Sequence, residues 1–143
     1  MTFLPDVNVW VAIAVAEHEH HDRAARWLES THGHSLAFCR VTQMGFLRLL
    51  TNVHVMKGDR FSPGGAWQLF DRLAQEAGAR VVPEPELLER IWRRGTAMAV
   101  GGHNTWTDAY ICAFAEATGF TVVTFDQGLA GHGKTNVRLL DSM

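Results

Sequence analysis

The stretch from Asn104 to Asp126 constrains the fold more than any other segment, because it joins a helix that is apolar on every side to a run of strand-forming residues. Residues 109–115 read Ala-Tyr-Ile-Cys-Ala-Phe-Ala, and a helix of this composition has to be buried. Residues 120–125 read Phe-Thr-Val-Val-Thr-Phe, without the alternation of a half-exposed strand. Such a run is typical of a central strand in a parallel sheet covered on both faces, so the stretch predicts an α/β fold.

Each outer end of this stretch carries an aspartate. Thr105 and Asp108 form the Ser/Thr-x-x-Asp/Glu pattern of a helix start, and Gly119 follows the helix where a left-handed residue ends it. Asp126 is predicted to leave the strand at its carboxyl end, the edge at which open α/β sheets bind ligands. A structural interpretation stays open for both aspartates, since one can be a first-turn acid and the other an ordinary turn residue.

The start of the chain repeats this arrangement. Residues 2–4 predict a short strand that ends at Asp6, and residues 7–16 predict a near-continuous apolar helix. Asp6 therefore also lies between the carboxyl end of a strand and the amino end of a helix. If the two strands are neighbours, Asp6, Asp108 and Asp126 converge in one crevice.

The remaining segments continue to alternate between strands and helices. Further strands are predicted at residues 35–38, 80–82 and 137–140, and helices at residues 17–30, 42–51, 62–77 and from residue 85 onward, with a loop at residues 52–61. The stripe of Trp67, Phe70 and Leu73 recurs at helical spacing and is predicted to be core. The whole chain, residues 1–143, is therefore predicted to form a single domain, an α/β/α sandwich around a mostly parallel sheet.

Composition restricts the partners and the compartment. A formal net charge of −2 gives no global attraction to a polyanion, so nucleic acid would have to be held by a local basic patch or a metal. Cys39 and Cys112 lack the spacing of a metal or redox motif and are predicted to be free, buried thiols in a reducing compartment. The sequence shows no basic leader and no apolar run of membrane-spanning length, so a cytoplasmic protein without a membrane partner is expected.

Three converging carboxylates require a counter-charge. Two such charges about 4 Å apart repel by roughly 4 kcal/mol at an effective dielectric of 20, so the site must take up protons or bind a cation. An all-oxygen, acidic ligand set without cysteine suits Mg²⁺ or Mn²⁺. The reaction that such a site favours is hydrolysis of a phosphodiester, in which the metal polarises the phosphoryl group and lowers the pKa of the attacking water.

Four stretches together resemble a known family, the PIN-domain ribonucleases of the VapC toxin type. They read LPDVNVW at residues 4–10, VTQMGFLRLLT at 41–51, TDAYICAFA at 107–115 and VTFD at 123–126. The resemblance spans nearly the whole chain, with the stretches in the family's order. It implies a PIN-like α/β/α sandwich, dependence on Mg²⁺ or Mn²⁺, cleavage of RNA, neutralisation by a cognate antitoxin and assembly as a homodimer.

The resemblance also assigns roles to individual residues. Asp6, Asp108 and Asp126 fall on the family's acidic metal-site positions. Asn8 matches a polar position beside the first aspartate, and Thr124 matches the Ser/Thr position that supports the last one. These five residues are the predicted catalytic set.

The third helix holds one match and one departure. Arg48 matches the family's arginine there, whereas Gln43 stands where the family commonly has a glutamate that completes an acidic quartet. An amide can hydrogen-bond a metal-bound water, but it removes one negative charge and is expected to weaken metal binding. The departure favours one metal ion over two.

Two other functions stay open on the sequence alone. A phosphoacceptor signalling domain also combines an α/β fold with strand-end carboxylates, but it has paired acids after the first strand and a late lysine, and Asn8 and Gln127 depart from that pattern. A degenerate PIN-like domain that only binds RNA or protein is the alternative suggested by Gln43.

The antitoxin could occupy a groove between the first two predicted helices. This groove would be formed by Trp10, Ile13, Trp27 and Leu28. Packing of these residues in the core explains the same pattern.

Overall fold

The computed structural model describes residues 1–56, 58, 60–99, 101–130 and 135–140. The strands are β1 (Thr2–Pro5), β2 (Ser35–Phe38), β3 (Ala79–Val81), β4 (Thr121–Thr124) and β5 (Val137–Leu139). The helices are α1 (Val7–Ala14), α2 (His21–Ser30), α3 (Arg40–Leu50), α4 (Val53–Met56), α5 (Pro63–Ala77), α6 (Leu88–Thr96), α7 (Thr105–Thr118) and α8 (Gln127–Ala130).

The five strands form one parallel sheet in the order β3-β2-β1-β4-β5. β1 is central, and Phe3 lies opposite Leu36 of β2 on one side and Thr121 of β4 on the other. The chain runs outward from β1 to β3 and then crosses back to β4. The strand order therefore reverses between β1 and β4, the point at which sheets of this kind bind ligands.

Side chains of the central strands alternate between two cores, one on each face of the sheet. Phe3 and Phe38 belong to the core beneath α1, α2, α3 and α5, where the ring of Trp10 stacks on Phe38 with 4.1 Å between centroids. Leu4 and its neighbours belong to the core beneath α6 and α7. Both faces are covered, which explains the unbroken apolar run in β4 and confirms the predicted α/β/α sandwich.

The start of α7 differs from the predicted capping pattern. Asn104, not Thr105, is the N-cap residue, and it makes no side-chain capping hydrogen bond. The third helical position is thus Thr107, whose hydroxyl donates to the Asn104 carbonyl over 3.2 Å. Asp108 lies one residue too far along to act as a capping-box partner. The end of the helix is as predicted, with Gly119 at a φ of 78°.

Other boundaries shift for similar reasons. α3 begins at Arg40 rather than at Thr42, because Cys39 is its N-cap and the Thr42 hydroxyl accepts the Cys39 N–H over 3.0 Å. α2 begins only at His21, and the predicted loop at residues 52–61 contains α4. The predicted glycine-rich connection after Asp126 begins with α8, and residues 131–134 lie outside the described residues.

The two cysteines are free and buried, as predicted. Burial raises the pKa of the Cys39 thiol, although hydrogen bonds involving Thr42 oppose the rise. Burial also raises the pKa of Cys112, to about 12. None of the helices in the described part of the chain is long and apolar enough to cross a membrane.

α1 and α3 approach closely at Gly45. A Cβ atom added to Gly45 would lie 2.6 Å from Cγ2 of Val7, nearer than carbon atoms can pack. Val7 is β-branched and has little freedom to rotate away in a helix. Gly45 is therefore required by packing. A Cβ atom added to Gly95 in α6 would meet no neighbouring atom within 4 Å.

We expect Gly45→Ala to lower the free energy of unfolding by about 1–2 kcal/mol, because the overlap with Val7 outweighs the better helix propensity of alanine. The control Gly95→Ala should raise the same quantity by about 0.5–1 kcal/mol, since only the propensity changes there. Urea unfolding of both variants measures the two effects. Equal shifts of the same sign would contradict the close approach of α1 and α3.

Candidate active site

Asp6 is fixed in the gap between β1 and β4. Its backbone N–H donates to the Val123 carbonyl of β4 over 2.8 Å, which continues the β1–β4 pairing by one residue. Its side chain caps α1, since Oδ1 accepts the Val7 N–H over 2.7 Å. The sheet and the helix together therefore hold this carboxylate in one place.

Thr124 connects the first and last aspartates. Its buried hydroxyl donates to Oδ2 of Asp6 over 3.1 Å and accepts the Asp126 N–H over 3.0 Å. Oδ1 of Asp126 in turn accepts the Gly128 N–H over 2.8 Å, so the structural interpretation of Asp126 as a turn residue also holds. The turn and the site are the same structure, because the turn presents the Asp126 carboxylate beside Asp6.

One cavity of about 470 Å³ brings the predicted residues together. Asp6, Asp108 and Asp126 all line it, although they come from the ends of β1 and β4 and from the first turns of α7. Asn8 and Arg48 line it as well. Thr124 does not; its hydroxyl instead bonds the Asp6 carboxylate and the Asp126 backbone N–H. We call this cavity the acidic cleft.

Three further polar residues of the acidic cleft were not predicted as site residues. His103 and Asn104 line it from the turn that leads into α7, and Thr107 lines it from the first turn of that helix. Their place in the sequence, immediately before Asp108 at a helix start, was the available signal. The rest of the lining is Val7, Val41, Met44, Gly45, Leu49 and Ile111.

The acidic cleft concentrates negative charge. Burial raises the pKa of Asp6, hydrogen bonds from Val7 and Thr124 oppose the rise, and the charge of Asp126 adds to it. The charges of Asp108 and Asp6 both add to the raised pKa of the Cys112 thiol behind them. The charge of Asp126 therefore acts on Asp6, while Asp6 and Asp108 both act on the Cys112 thiol. A cation in the cleft would relieve this repulsion.

The donor chemistry of the acidic cleft fits a hard divalent cation. In the described part of the chain no three histidine, cysteine, aspartate or glutamate side chains are grouped closely enough to hold one ion directly. The three aspartates nevertheless share a cavity with room for water, and Mg²⁺ keeps several waters and needs only one or two carboxylates. An all-oxygen set with a surplus of acids is what this ion prefers.

Gln43 and Arg48 take different positions on α3. The Gln43 side chain is buried, accepts a hydrogen bond from Nη1 of Arg40 over 2.5 Å and does not line the acidic cleft. The Arg48 side chain lines the cleft and has no ion pair or side-chain hydrogen bond within the described residues. The cleft therefore carries one cationic group that is available to an anion.

The profile of the PIN domain family matches residues 3–134. The chain belongs to the PIN domain family. Among curated relatives, this PIN domain is 37% identical to Ribonuclease VapC41 of Mycobacterium tuberculosis, over 96% of this chain and 97% of the relative. The family therefore agrees with the resemblance carried by the four sequence stretches.

Two solved structures share the fold of this PIN domain. VapBC2 from Rickettsia felis, bound to a DNA fragment from its promoter, matches with a TM-score of 0.72 and 13% identity, over 99% of this chain and 100% of that one. VapC20 of Mycobacterium tuberculosis, described as a sarcin-ricin loop cleaving toxin, matches with a TM-score of 0.68 and 17% identity, over 94% and 98%. At these identities the likeness concerns the fold alone.

We expect Thr124→Val to lower the free energy of unfolding by about 1–3 kcal/mol, because the shape is kept while the Asp126 N–H and the Asp6 carboxylate lose their shared partner. Thr121→Val on the same strand is the control, since no hydrogen bond involves the Thr121 hydroxyl within the described residues. Its effect should stay within about 0.5 kcal/mol. Chemical denaturation compares them, and equal losses would count against the Thr124 bridge.

Proposed function

We propose that this PIN domain is a VapC-type toxin, an endoribonuclease that hydrolyses phosphodiester bonds of RNA at the acidic cleft. The observation that carries the proposal is the convergence of Asp6, Asp108 and Asp126 on one cavity at the point where the strand order reverses. The relatives named as VapC ribonucleases support the same activity.

PIN-domain ribonucleases depend on divalent metal ions, and Asp6, Asp108 and Asp126 are the residues proposed to hold the ion here, either Mg²⁺ or Mn²⁺. Such an ion, when bound, polarises the phosphoryl group, lowers the pKa of an attacking water and offsets charge on the leaving oxygen. The carboxylate oxygens of the three aspartates support this choice over zinc.

The chain's own residues would position the metal and the RNA. Thr124 holds the Asp6 carboxylate and the Asp126 backbone N–H, so the Asp6 carboxylate does not have to reorganise during the reaction. Arg48 offers a guanidinium to a non-bridging phosphate oxygen of RNA. Asn8, exposed at the cleft, can donate its amide N–H to the phosphate and accept from a water.

Gln43 gives little support to the alternative of a degenerate domain. Its amide is turned toward Arg40 and does not line the acidic cleft, so the three aspartates converge without it. The weaker metal binding and the single metal ion expected from this position stay predictions. The phosphoacceptor alternative is wrong, because the chain belongs to the PIN domain family.

We expect Asp108→Asn to reduce RNA cleavage by at least about 100-fold, because it removes one negative charge from the proposed metal site. The antitoxin-free protein is incubated with labelled RNA hairpins, including one with the sarcin-ricin loop sequence, in Mg²⁺, Mn²⁺ or EDTA. Asp71→Asn is the control, an exposed aspartate of α5 outside the cleft, and should cut like the unsubstituted protein. Cleavage that survives EDTA would contradict the metal-dependent mechanism.

Calorimetric titration with each metal ion separates two explanations of a negative result. Metal binding without cleavage would mean that the RNA substrate is absent from the set. The absence of both metal binding and cleavage would favour the degenerate domain. Asp108→Asn should also weaken the measured metal affinity, because its amide carries no charge.

A cognate antitoxin is the proposed protein partner, and a groove between α1, α2 and α5 is its proposed docking site. The sequence prediction for this groove was partly wrong, because Trp10 and Trp27 are buried in the core. Ile13 and Leu28 do line the groove, which has a volume of about 640 Å³ and alternates apolar with charged side chains. This mixture suits an amphipathic segment.

We expect Ala25→Arg to weaken antitoxin binding about tenfold or more, because the long side chain would fill the groove that Ala25 lines. Gln75→Arg is the control, an exposed position of α5 that adds the same charge outside the groove. Titration of the antitoxin by calorimetry measures both. Unchanged affinity in Ala25→Arg, with an unchanged melting temperature, would place the antitoxin elsewhere.

Assembly and location complete the proposal. A homodimer rests on the family resemblance and is tested by sedimentation equilibrium of the antitoxin-free protein. A cytoplasmic location is supported by the two free thiols, which suit a reducing compartment.

A further inference from the structure

The start of α7 carries Asp108 but is not held by a side-chain cap. Asn104 occupies the N-cap position without a capping hydrogen bond from its side chain, and its carbonyl accepts the Asp108 N–H over 2.9 Å. Asp6 and Asp126, in contrast, follow two paired strands and are joined through Thr124. The position of the first turns of α7 therefore depends on contacts with another element.

That element is α6. Nε1 of Trp92 donates to the Trp106 carbonyl over 2.9 Å, so a side chain of α6 bonds the backbone of α7 two residues before Asp108. The Trp92 ring also meets the Tyr110 ring edge-on, with 5.3 Å between centroids, two residues after Asp108. Trp92 therefore contacts α7 on both sides of Asp108 along the chain.

Helix geometry places these contacts and Asp108 on opposite sides of α7. At about 3.6 residues per turn, two residues correspond to about 200° around the helix axis. Trp106 and Tyr110 therefore face α6, whereas Asp108 faces away from it and lines the acidic cleft. The first turns of α7 thus lie between Trp92 and the cleft, and a shift of these turns toward α6 would withdraw the Asp108 carboxylate.

Tyr110 is held at its other end. Its hydroxyl donates over 2.6 Å to Oε1 of Glu84, in the segment that follows β3. Burial raises the pKa of Tyr110, and both the hydrogen bond with Glu84 and the charge of that carboxylate add to the rise. The phenol therefore stays protonated at physiological pH and keeps this bond, so the ring against which Trp92 packs is itself fixed.

Trp106 takes part in this arrangement through its backbone rather than through burial of its ring. Its side chain is 62% exposed. Trp67 of α5 is 49% exposed, so the core prediction was wrong for Trp67 although it holds for Phe70 and Leu73. An indole as exposed as that of Trp106 gains little free energy from burial. The hydrogen bond from Trp92 to the Trp106 carbonyl is therefore the directional contact at this end of α7.

We infer that Trp92 is a positioning residue for Asp108, whose indole N–H holds the first turns of α7 where the Asp108 carboxylate reaches the acidic cleft. Trp92 does not line the cleft and acts through the α7 backbone. The inference rests on the proposed function, because it concerns the same metal site, and it adds a residue of α6 that belongs to none of the four sequence stretches.

The test is the metal affinity of the antitoxin-free full chain, measured by calorimetric titration with Mn²⁺ and with Mg²⁺. Trp92→Phe keeps an aromatic ring against Tyr110 and removes the indole N–H. It should weaken metal binding about tenfold, the low end of the range for groups that orient metal ligands. In the Asp108→Asn background the same substitution should change the affinity less than about twofold, because its effect passes through Asp108.

Arg94→Gln is the matched control on the same pair of helices. Arg94 of α6 pairs with Glu116 of α7 at 3.2 Å, about two turns beyond Asp108. This variant should bind metal like the unsubstituted chain. A loss of affinity equal to that of Trp92→Phe would mean that any weakening of the α6–α7 packing affects the site, and it would overturn the specific role of Trp92.

Amide hydrogen exchange in the metal-free protein tests the position of the turn directly. Trp92→Phe should speed exchange of the Asp108 N–H about 2- to 10-fold, the effect of losing one hydrogen bond. The Phe114 N–H, farther along α7, should exchange as in the unsubstituted chain. Unchanged exchange at Asp108 would overturn the inference, because the turn would then not depend on the indole.

The outcomes separate this inference from the proposed function. If the unsubstituted chain binds metal and cleaves RNA while Trp92→Phe keeps its metal affinity, the positioning role is wrong and the ribonuclease function stands. Absence of metal binding and cleavage in the unsubstituted chain would remove both. Melting temperatures show whether each variant folds, and Trp92→Tyr, which also lacks the indole N–H, replaces Trp92→Phe if that variant does not fold.

Discussion

The hydroxyl of Thr124 is the contact on which the site depends most. It can join Asp6 to Asp126 only because β1 and β4 are adjacent and parallel, so that both strands end at the same edge of the sheet. That adjacency depends in turn on the crossing of the chain from β3 to β4 over the second face of the sheet. α6 and α7 form this crossing, and α7 brings Asp108 to the same edge. The order of the strands and the placement of the helices therefore determine where the three carboxylates lie.

Most of the fold followed from the sequence where burial determines the pattern. The apolar residues of α7 and β4 leave few alternatives to a covered parallel sheet. Ser62 caps α5 as its sequence predicted. The errors lie at helix starts. Thr42 and Thr105 have the chemistry of N-caps, but Cys39 and Asn104 occupy those positions because the preceding segments enter the helices earlier. The sequence shows which residues are able to cap a helix. The path of the folded chain decides which of them occupies the N-cap position.

The candidate site was predictable to a different degree for each residue. Element order alone placed Asp6 and Asp126 at one edge, and resemblance added Asn8, Thr124 and Arg48. Sequence gave no means of seeing that the Gln43 amide turns to Arg40, because that choice depends on side-chain packing in α3. Apolar periodicity also cannot separate a groove from a core, which is why Trp10 and Trp27 were assigned to a possible groove and Trp67 to the core.

The carboxylate of Asp6 has a consequence for the order in which the site is assembled. Both of its oxygens already accept hydrogen bonds, from the Val7 N–H and the Thr124 hydroxyl, so its orientation is set by the folded backbone. A carboxylate that is fixed in this way does not need a cation to order it. If the proposed metal binds here, the chain can fold first and bind the ion afterwards, so supply of the ion would regulate the site without altering the fold. Preorganisation of this kind separates the stability of the protein from the control of its chemistry.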